Sequence, residues 1–274
     1  MLRIRLGATL RRLREARGIT AQQAAEAIRA SDSKISRIEL GRHAAREIDV
    51  SDLLTLYGLT DPADRESLLL LASQALAKPW WHQHSDVLPA WLQVYLGIEE
   101  AAESVQSYDT HFVPGLLQTA GYAAGLLAQA EFSEQETRSL LEVRAGRIKR
   151  FAAGGWRLAA VIDEAVLHRP VGGQGEFVGQ LERLREAAGW LGVTIRIRPF
   201  SAGAPLSPSG FTILRFAGDE PPDAVYSEQL TGASYLDRPA DVARYAAAME
   251  ALWGTSQPEA QTAGIVTAVL ARLG

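Results

Sequence analysis

The stretch Ser31–Arg42, SDSKISRIELGR, predicts a short helix that is anchored on one side and polar on the other. Ser31 suits the N-cap of this helix, and Gly41 suits the position just beyond its last turn. At about 100° per residue, Ile35 and Ile38 lie on one face, which is therefore expected to be buried. The opposite face carries small polar and basic side chains, and such a surface suits base edges and phosphates.

Further helices are predicted on both sides of this stretch. Leucines recur on one stripe of a helix over 6–17, and Thr20 suits the N-cap of a second helix over 21–28. Three residues separate that second helix from the polar helix, and this arrangement is typical of a helix-turn-helix unit. Two more helices, over about 50–57 and 62–76, complete a five-helix domain.

The charge of the chain is unevenly distributed. The net charge is −4, but residues 1–50 hold 11 Lys or Arg against 6 Asp or Glu, whereas the remainder holds 17 against 26. A basic end attached to an acidic body is a candidate nucleic-acid-binding module. A solvated surface alone can show such a division, so the argument depends on its coincidence with the polar helix.

The composition of the chain limits the classes of protein to which it can belong. The 274 residues are enough for two domains, and the absence of Cys excludes disulfides and thiolate metal sites. No apolar run approaches 18 residues, and the N-terminal residues lack the core of a signal peptide. We therefore expect a cytoplasmic protein without membrane association.

The remainder of the chain, residues 78–274, is predicted to be a separate domain. Pro79 ends the preceding helix, and the paired Trp80 and Trp81 that follow it need burial. Predicted strands lie at 157–164, 193–200, 211–216 and 224–229, with a shorter extended piece at 105–108. Predicted helices lie at 86–103, 114–130, 133–151, 176–189, 239–253 and 258–273. The fold class is therefore α+β overall, with an all-α domain over 1–77 and a small sheet partly covered by helices after it.

The segment VPGLLQT, residues 113–119, is a candidate groove for a partner or a ligand. Pro114 is predicted to begin a helix and to expose Gln118 and Thr119 one turn later. A helix cap packed against the sheet and a groove at a helix N-terminus both explain these residues, so both interpretations stay open. Five aromatic side chains could line either a pocket or a core: Trp80, Trp81, Trp91, Tyr95 and Phe112.

No catalytic, cofactor or metal site is predicted. Asp163 suits a helix cap, and Glu164 with His168 suits a surface pair four residues apart. His82 and His84 would share one face of a strand, but neither a carboxylate cluster nor an HExxH pattern accompanies them. The chain also lacks a nucleophile elbow and a phosphate-binding loop. We therefore expect a protein that is not an enzyme.

The segments LRRLREARGIT (10–20) and AQQAAEAIRASDSKISRIELGR (21–42) resemble the Xre/Cro-repressor type of helix-turn-helix domain. In that family the second helix of the motif enters the major groove of DNA. The resemblance implies two sets of contacts, one to bases by Asp32, Ser33, Ser36 and Arg37, and one to phosphates by Ser31, Lys34 and Arg42. It also implies a partly buried ion pair between Arg14 and Glu39 that braces the first helix against the recognition helix.

This sequence departs from the family pattern at two positions. Ala21 stands where the family often has a Gln that donates to a phosphate, and Gln22 is the candidate substitute. Arg29 stands in a turn that usually contains Gly, where a positive φ would cost on the order of 1 kcal/mol. Asp32 also places a carboxylate among phosphates, which is favourable if it accepts from a cytosine amine or orients Arg37 or Lys34, and is unfavourable otherwise.

A second resemblance covers the rest of the chain. Its motifs are WW (80–81), LPAWLQVYLGIE (88–99), YDTHFVPGLLQTAGYA (108–123), VIDEAVLHRPVGG (161–173), IRPFSAG (197–203), PSGFTILRF (208–216) and YSEQLTG (226–232). In this order they resemble the actinobacterial WhiJ-type regulators, which join an Xre-type domain to a C-terminal domain of unassigned function. The resemblance implies a transcriptional regulator that is often encoded beside a small protein antagonising it, in an antitoxin-like pair.

These features together predict a homodimeric, sequence-specific DNA-binding regulator controlled through its second domain. The controlling signal is either a small antagonist protein, as the resemblance implies, or a small-molecule effector bound among the aromatic residues. An enzyme fused to a DNA-binding domain is the rival interpretation, and no catalytic motif supports it. A scaffold that binds RNA is disfavoured, because the deep, narrow major groove of RNA does not admit a recognition helix.

Overall fold

The computed structural model describes residues 2–39, 43–76, 78–153, 156–205, 207–217 and 222–273. The chain divides into two compact units, one formed mainly by residues up to His82 and the other mainly by residues from Gln83 onward. Three positions used in the sequence predictions lie outside the described residues: the helix stop Gly41, the phosphate contact Arg42, and residue 77, where we place the domain boundary.

The first unit consists of helices around one hydrophobic core. Its helices are α1 (Leu2–Ala16), α2 (Ala21–Ala27), α3 (Asp32–Glu39), α4 (Glu47–Leu56) and α5 (Pro62–Leu76). Residues from α1 to α4 and Tyr57 just after α4 fill the core, including Leu6, Leu10, Ile35, Ile38, Val50, Leu53, Leu54 and Tyr57. The predicted five-helix, all-α arrangement is confirmed.

Of two helix starts in this unit, one agrees with the sequence prediction and the other does not. Thr20 and Gln23 form a capping box at the start of α2, as Thr20 predicts. In contrast, α4 begins at Glu47, three residues earlier than the predicted start at about residue 50. Asp49 lies in the first turn of α4 and accepts hydrogen bonds from Arg46 and Lys34 side chains.

The second unit is built on a six-stranded mixed sheet. Its strands are β1 (Ser104–Asp109), β2 (Arg157–Asp163), β3 (Val193–Arg198), β4 (Phe211–Arg215), β5 (Ala224–Gln229) and β6 (Gly232–Leu236). Its helices are α6 (Ala90–Ala101), α7 (Ala120–Leu127), α8 (Glu134–Ala153), α9 (Gln174–Ala187), α10 (Pro239–Gly254) and α11 (Glu259–Leu273). The spatial order of the strands is β3-β2-β1-β4-β5-β6, in which β1, β2 and β3 are parallel and the other pairs are antiparallel.

Helices cover this sheet and bury its apolar side chains. On one face, Val242, Met249 and Leu252 of α10 pack against Tyr108, Val161, Phe211, Ile213 and Val225 of four strands. At the β3 edge, α11 packs against α9 and β3, and the Thr262 hydroxyl donates to the Ile195 carbonyl at 2.6 Å. The predicted α+β fold class is confirmed.

Two local predictions for residues after 77 are wrong, and one strand was not predicted. The helix expected over 114–130 is interrupted, because a 3₁₀ turn at Gly115–Leu117 precedes α7 and Thr119 caps α7. His82 and His84 lie in a 3₁₀ turn rather than on a strand. The edge strand β6 is not predicted, because its residues are all only half-buried and lack an inside-outside alternation.

None of the described helices combines the length and the apolar composition that a membrane span needs.

Candidate nucleic-acid interface

α3 presents a polar face that is supported from below by two isoleucines. Ile35 and Ile38 are 1% and 2% exposed, as the helical period predicts. The Ser31 hydroxyl accepts a hydrogen bond from the Lys34 amide at 3.3 Å, which confirms Ser31 as the cap. The outer face is exposed to solvent along its length, at Ser31, Asp32, Ser33, Ser36 and Arg37, whereas Lys34 is partly buried.

An ion pair joins α1 to the end of α3. Arg14 Nε lies 2.6 Å from Glu39 Oε1, and Arg14 Nη2 lies 2.9 Å from Oε2, so the pair is bidentate. Arg14 Nη1 also donates to the Ile19 carbonyl at 2.8 Å. The Arg14 and Glu39 side chains are only 12% and 7% exposed, and their hydrogen bond raises the pKa of Arg14. Because both charges are shielded from water, this pair can hold α3 at a defined angle to α1.

A glycine allows α1 and α3 to approach each other closely. A Cβ atom at Gly7 would lie 2.6 Å from the Glu39 carbonyl oxygen and still nearer to the Ile38 carbonyl oxygen. Sequence reasoning missed this contact, although Gly inside a predicted helix is a signal for close packing because it disfavours the helix by about 1 kcal/mol. Gly7 and the Arg14–Glu39 pair thus position the same end of α3.

The turn between α2 and α3 contains the strained residue expected from the sequence. Arg29 has a φ of 52°, in the left-handed region. The Arg29 amide donates to the Glu26 carbonyl at 3.1 Å, and the Ala30 amide donates to the Ala25 carbonyl at 2.9 Å. These two bonds form a Schellman motif, which satisfies the last carbonyls of α2 and directs the chain into α3.

Charges near α3 pair differently from the alternatives that the sequence suggests. Lys34 Nζ lies 3.1 Å from Asp49 Oδ2, and Arg46 Nη2 lies 2.8 Å from Asp49 Oδ1. Burial opposes ionisation of Asp49, but the hydrogen bonds from Arg46 and Lys34 hold its pKa below the usual value. The ammonium of Lys34 has three donors, so two of them stay available for a phosphate.

Asp32 does not orient either basic residue of α3. Its Oδ1 accepts a hydrogen bond from the Ser33 amide at 2.8 Å. Arg37 Nε donates to the Ser33 carbonyl at 3.2 Å, and Lys34 is held by Asp49. Orientation of Arg37 or Lys34 by Asp32 is therefore wrong, and contact with a cytosine amine is the alternative that stays a prediction. Gln22 is exposed on α2, with its Nε2 3.4 Å from Glu26 Oε1.

Two family models match the chain, one mainly over the first unit and one over the second. Residues 5–68 match a family model described as a helix-turn-helix domain. Residues 92–268, more than half of the chain, match a model described as a domain of unknown function, DUF5753. The chain belongs to the DUF5753 family. A search of curated proteins found no match. The first match supports a helix-turn-helix regulator, and the second leaves the role of the DUF5753 domain open.

The candidate groove residues of the DUF5753 domain lie differently from their predicted positions. Gln118 is 6% exposed, so the prediction that it is exposed is wrong. Its amide nitrogen donates to the Val113 carbonyl at 2.8 Å, and its Oε1 accepts from Arg144. Pro114 precedes the 3₁₀ turn, and the Thr119 hydroxyl accepts from the Tyr122 amide at the start of α7.

Packing, capping and ion pairing account for several of the remaining candidate residues, whereas Phe112 is 45% exposed. Trp80 and Trp81, just before the DUF5753 domain, meet edge to face at 5.5 Å, and Trp81 is 6% exposed. In the DUF5753 domain, Asp163 Oδ1 accepts from the Ala165 amide at 3.0 Å, which confirms it as a cap. The predicted pair of Glu164 and His168 is present, with 3.7 Å between Oε1 and Nε2. In the described part of the chain, no group of three or more His, Asp or Glu side chains could hold a metal ion.

Proposed function

We propose that this chain is a sequence-specific DNA-binding transcriptional regulator that acts as a homodimer and receives its signal through the DUF5753 domain. The observation that carries the proposal is the exposed polar face of α3, supported by buried isoleucines and tied to α1 by the Arg14–Glu39 pair. A recognition helix has to be held rigidly, because its side chains must reach base edges without a large loss of conformational entropy on binding. The helix-turn-helix match over the same residues supports this use of α3.

Two sets of contacts are proposed for the bound DNA. Asp32, Ser33, Ser36 and Arg37 are proposed to face base edges, because they are the exposed side chains of α3. Ser31, Lys34, Arg42 and Gln22 are proposed to lie at phosphates. If Arg37 binds a guanine through its two terminal nitrogens, it supplies about 1–3 kcal/mol of discrimination. Loss of Lys34 would weaken binding to all sequences and reduce the salt dependence by about one counterion.

The proposal is tested by mapping the binding sites of the purified full chain on fragmented genomic DNA. We expect a two-fold symmetric operator with half-sites roughly 10 base pairs apart, because a dimer must present both α3 helices to one side of the duplex. Arg37→Ala is expected to lose both affinity and selectivity for that operator. The matched control is Arg185→Ala, which removes another exposed Arg, in the DUF5753 domain. Unchanged affinity and selectivity of the Arg37 variant would refute the assignment of α3.

The nature of the signal is a separate proposal. The WhiJ-type resemblance favours a small antagonist protein encoded nearby, in an antitoxin-like pair, and a small-molecule effector is the alternative. Titration calorimetry with the product of the neighbouring gene separates them, since an antagonist has to bind at micromolar concentration or tighter. In this proposal the DUF5753 domain receives a signal and catalyses no reaction, and the protein acts in the cytoplasm.

A further inference from the structure

Two arginines of α8, Arg144 and Arg147, lie one turn apart, but only Arg147 is paired with a carboxylate. Arg147 Nε lies 2.8 Å from Glu99 Oε2, and Arg147 Nη2 lies 2.7 Å from Glu99 Oε1. Both side chains are buried, at 13% and 2% exposure. The Tyr95 hydroxyl also donates to Glu99 Oε1 at 2.8 Å. Glu99 is therefore fully engaged by Arg147 and Tyr95.

Arg144 has no comparable partner in the described part of the chain. Its hydrogen bond runs from Nη1 to Gln118 Oε1 at 2.5 Å, and Gln118 is a neutral amide. A guanidinium has five N–H donors, so most of its capacity is not used by the protein. The charge of Glu228 raises the pKa of Arg144, but the two side chains form no ion pair. The fold thus holds a partly exposed cation without a counterion.

The electrostatic state of Arg144 is unusual for an arginine. Burial and, to a smaller extent, the neighbouring charge of Arg147 lower its pKa to about 10, although the charge of Glu228 partly opposes them. Placing an unpaired charge in such an environment is unfavourable, and a neutral side chain of similar size would serve packing better. Strongly perturbed charged groups occur preferentially at binding sites. A bound anion would remove the unfavourable interaction.

The segment that carries Gln118 is held in place by buried contacts in the absence of a ligand. Gln180 is fully buried, its Oε1 accepts from the Thr119 amide at 2.7 Å, and its Nε2 donates to the Leu117 carbonyl at 2.9 Å. Gly115 packs against Arg147, since a Cβ there would lie 3.2 Å from Arg147 Nη1. These contacts hold Gln118 in place, and Gln118 orients Arg144. An oriented cation binds an anion with little further loss of conformational entropy.

We propose that Arg144, oriented by Gln118, binds the oxyanion of a small-molecule ligand, either a carboxylate or a phosphate group. The planar fork of a guanidinium matches the geometry of both groups. This inference goes beyond the proposed function and does not depend on it, because the anion can be titrated into the full chain in the absence of DNA. It also changes the interpretation of the groove at 113–119, in which Gln118 is a positioning residue rather than an exposed contact.

The test is titration calorimetry of the full chain with inorganic phosphate and, separately, with succinate, at constant ionic strength maintained with sodium chloride. We expect one of the two anions to bind to the wild type and to Arg138→Gln, which removes an exposed Arg from the same helix. Arg144→Gln is expected to weaken that binding by about tenfold or more, as loss of a charge-assisted hydrogen bond predicts. The anion that responds identifies the group, carboxylate or phosphate.

Two results would overturn the proposal. One is equal binding by the wild type and the folded Arg144→Gln variant, and the other is no binding of either anion to the wild type. The melting temperature of the Arg144→Gln variant in chloride buffer shows whether it folds, because the substitution also removes the hydrogen bond to Gln118. If it does not fold, the titration is repeated with Arg144→Lys, because this variant keeps the positive charge but lacks the planar guanidinium that can donate two parallel hydrogen bonds. Affinity equal to wild type for both anions would then count against the site.

Discussion

The Arg14–Glu39 pair offers the sharpest test of how the first unit holds its recognition helix. Glu39→Ala leaves the Arg14 guanidinium buried at 12% exposure without its main counterion. Removing one partner of a buried pair typically costs about 3–5 kcal/mol. We expect the lower end of that range, because the Ile19 carbonyl still accepts from Arg14 and Glu15 Oε1 lies 3.6 Å away. For a unit of this size, each kcal/mol corresponds to about 4–8 °C in melting temperature.

The paired substitution separates electrostatic bracing from simple packing. Replacing both residues by apolar side chains, as Arg14→Met with Glu39→Leu, removes both charges and is expected to restore most of the stability lost in either single variant. The effect is measured in the full chain by urea denaturation, with hydrogen exchange of the α3 amides as the readout. Exchange of these amides reports on the first unit separately from the second. Single variants that lose less than about 1 kcal/mol would refute the reasoning, as would losses that simply add in the double variant.

Three further outcomes are expected. Gly7→Ala should destabilise the first unit and weaken DNA binding, because its Cβ would collide with the Ile38 and Glu39 carbonyl oxygens. The control is Gly175→Ala, at an exposed helical position where a Cβ meets no atom within 4 Å. Arg29→Gly should raise the unfolding free energy by roughly 1 kcal/mol, since Gly adopts a positive φ without strain, and a decrease in thermal melting would contradict this. Burial raises the pKa of Asp109 to about 7, so the folded state binds the extra proton and stability falls as pH rises from about 4 to 7. Asp109→Asn should therefore raise the melting temperature more at pH 8 than at pH 4, and an equal shift at both values would show that its titration is not coupled to folding.

Helices and caps were predictable where the signal lies within one turn of chain. Ser31 caps α3, and the isoleucines of α3 are buried because their spacing matches the helical period. Ser133 and Glu136 form a capping box at the start of α8, where a helix over 133–151 is predicted. Five of the six strands were also predicted in part or in full, because their apolar residues alternate or form a run typical of buried strands.

Partners distant in sequence were not predictable from local patterns, and the Arg14–Glu39 pair was predicted only through the family resemblance. Asp49 lies 15 residues from Lys34 and takes its ammonium, whereas the sequence suggested Asp32 as the orienting group. Gln118 was expected to be exposed one turn into a helix, but a 3₁₀ turn places it in the interior, in contact with Arg144. The helical period describes directions around one axis and contains no information about which other element lies opposite.

The division of charge, the helix-turn-helix and the polar face of α3 follow from the order of residues alone, because they depend on caps, spacing and composition over short distances. The folded structure decides which of the arginines are neutralised. Arg14 and Arg147 each meet a buried carboxylate, whereas Arg144 meets an amide. The energy of a charge depends on separations of a few ångströms and on local burial, and both are set by segments far apart in the chain.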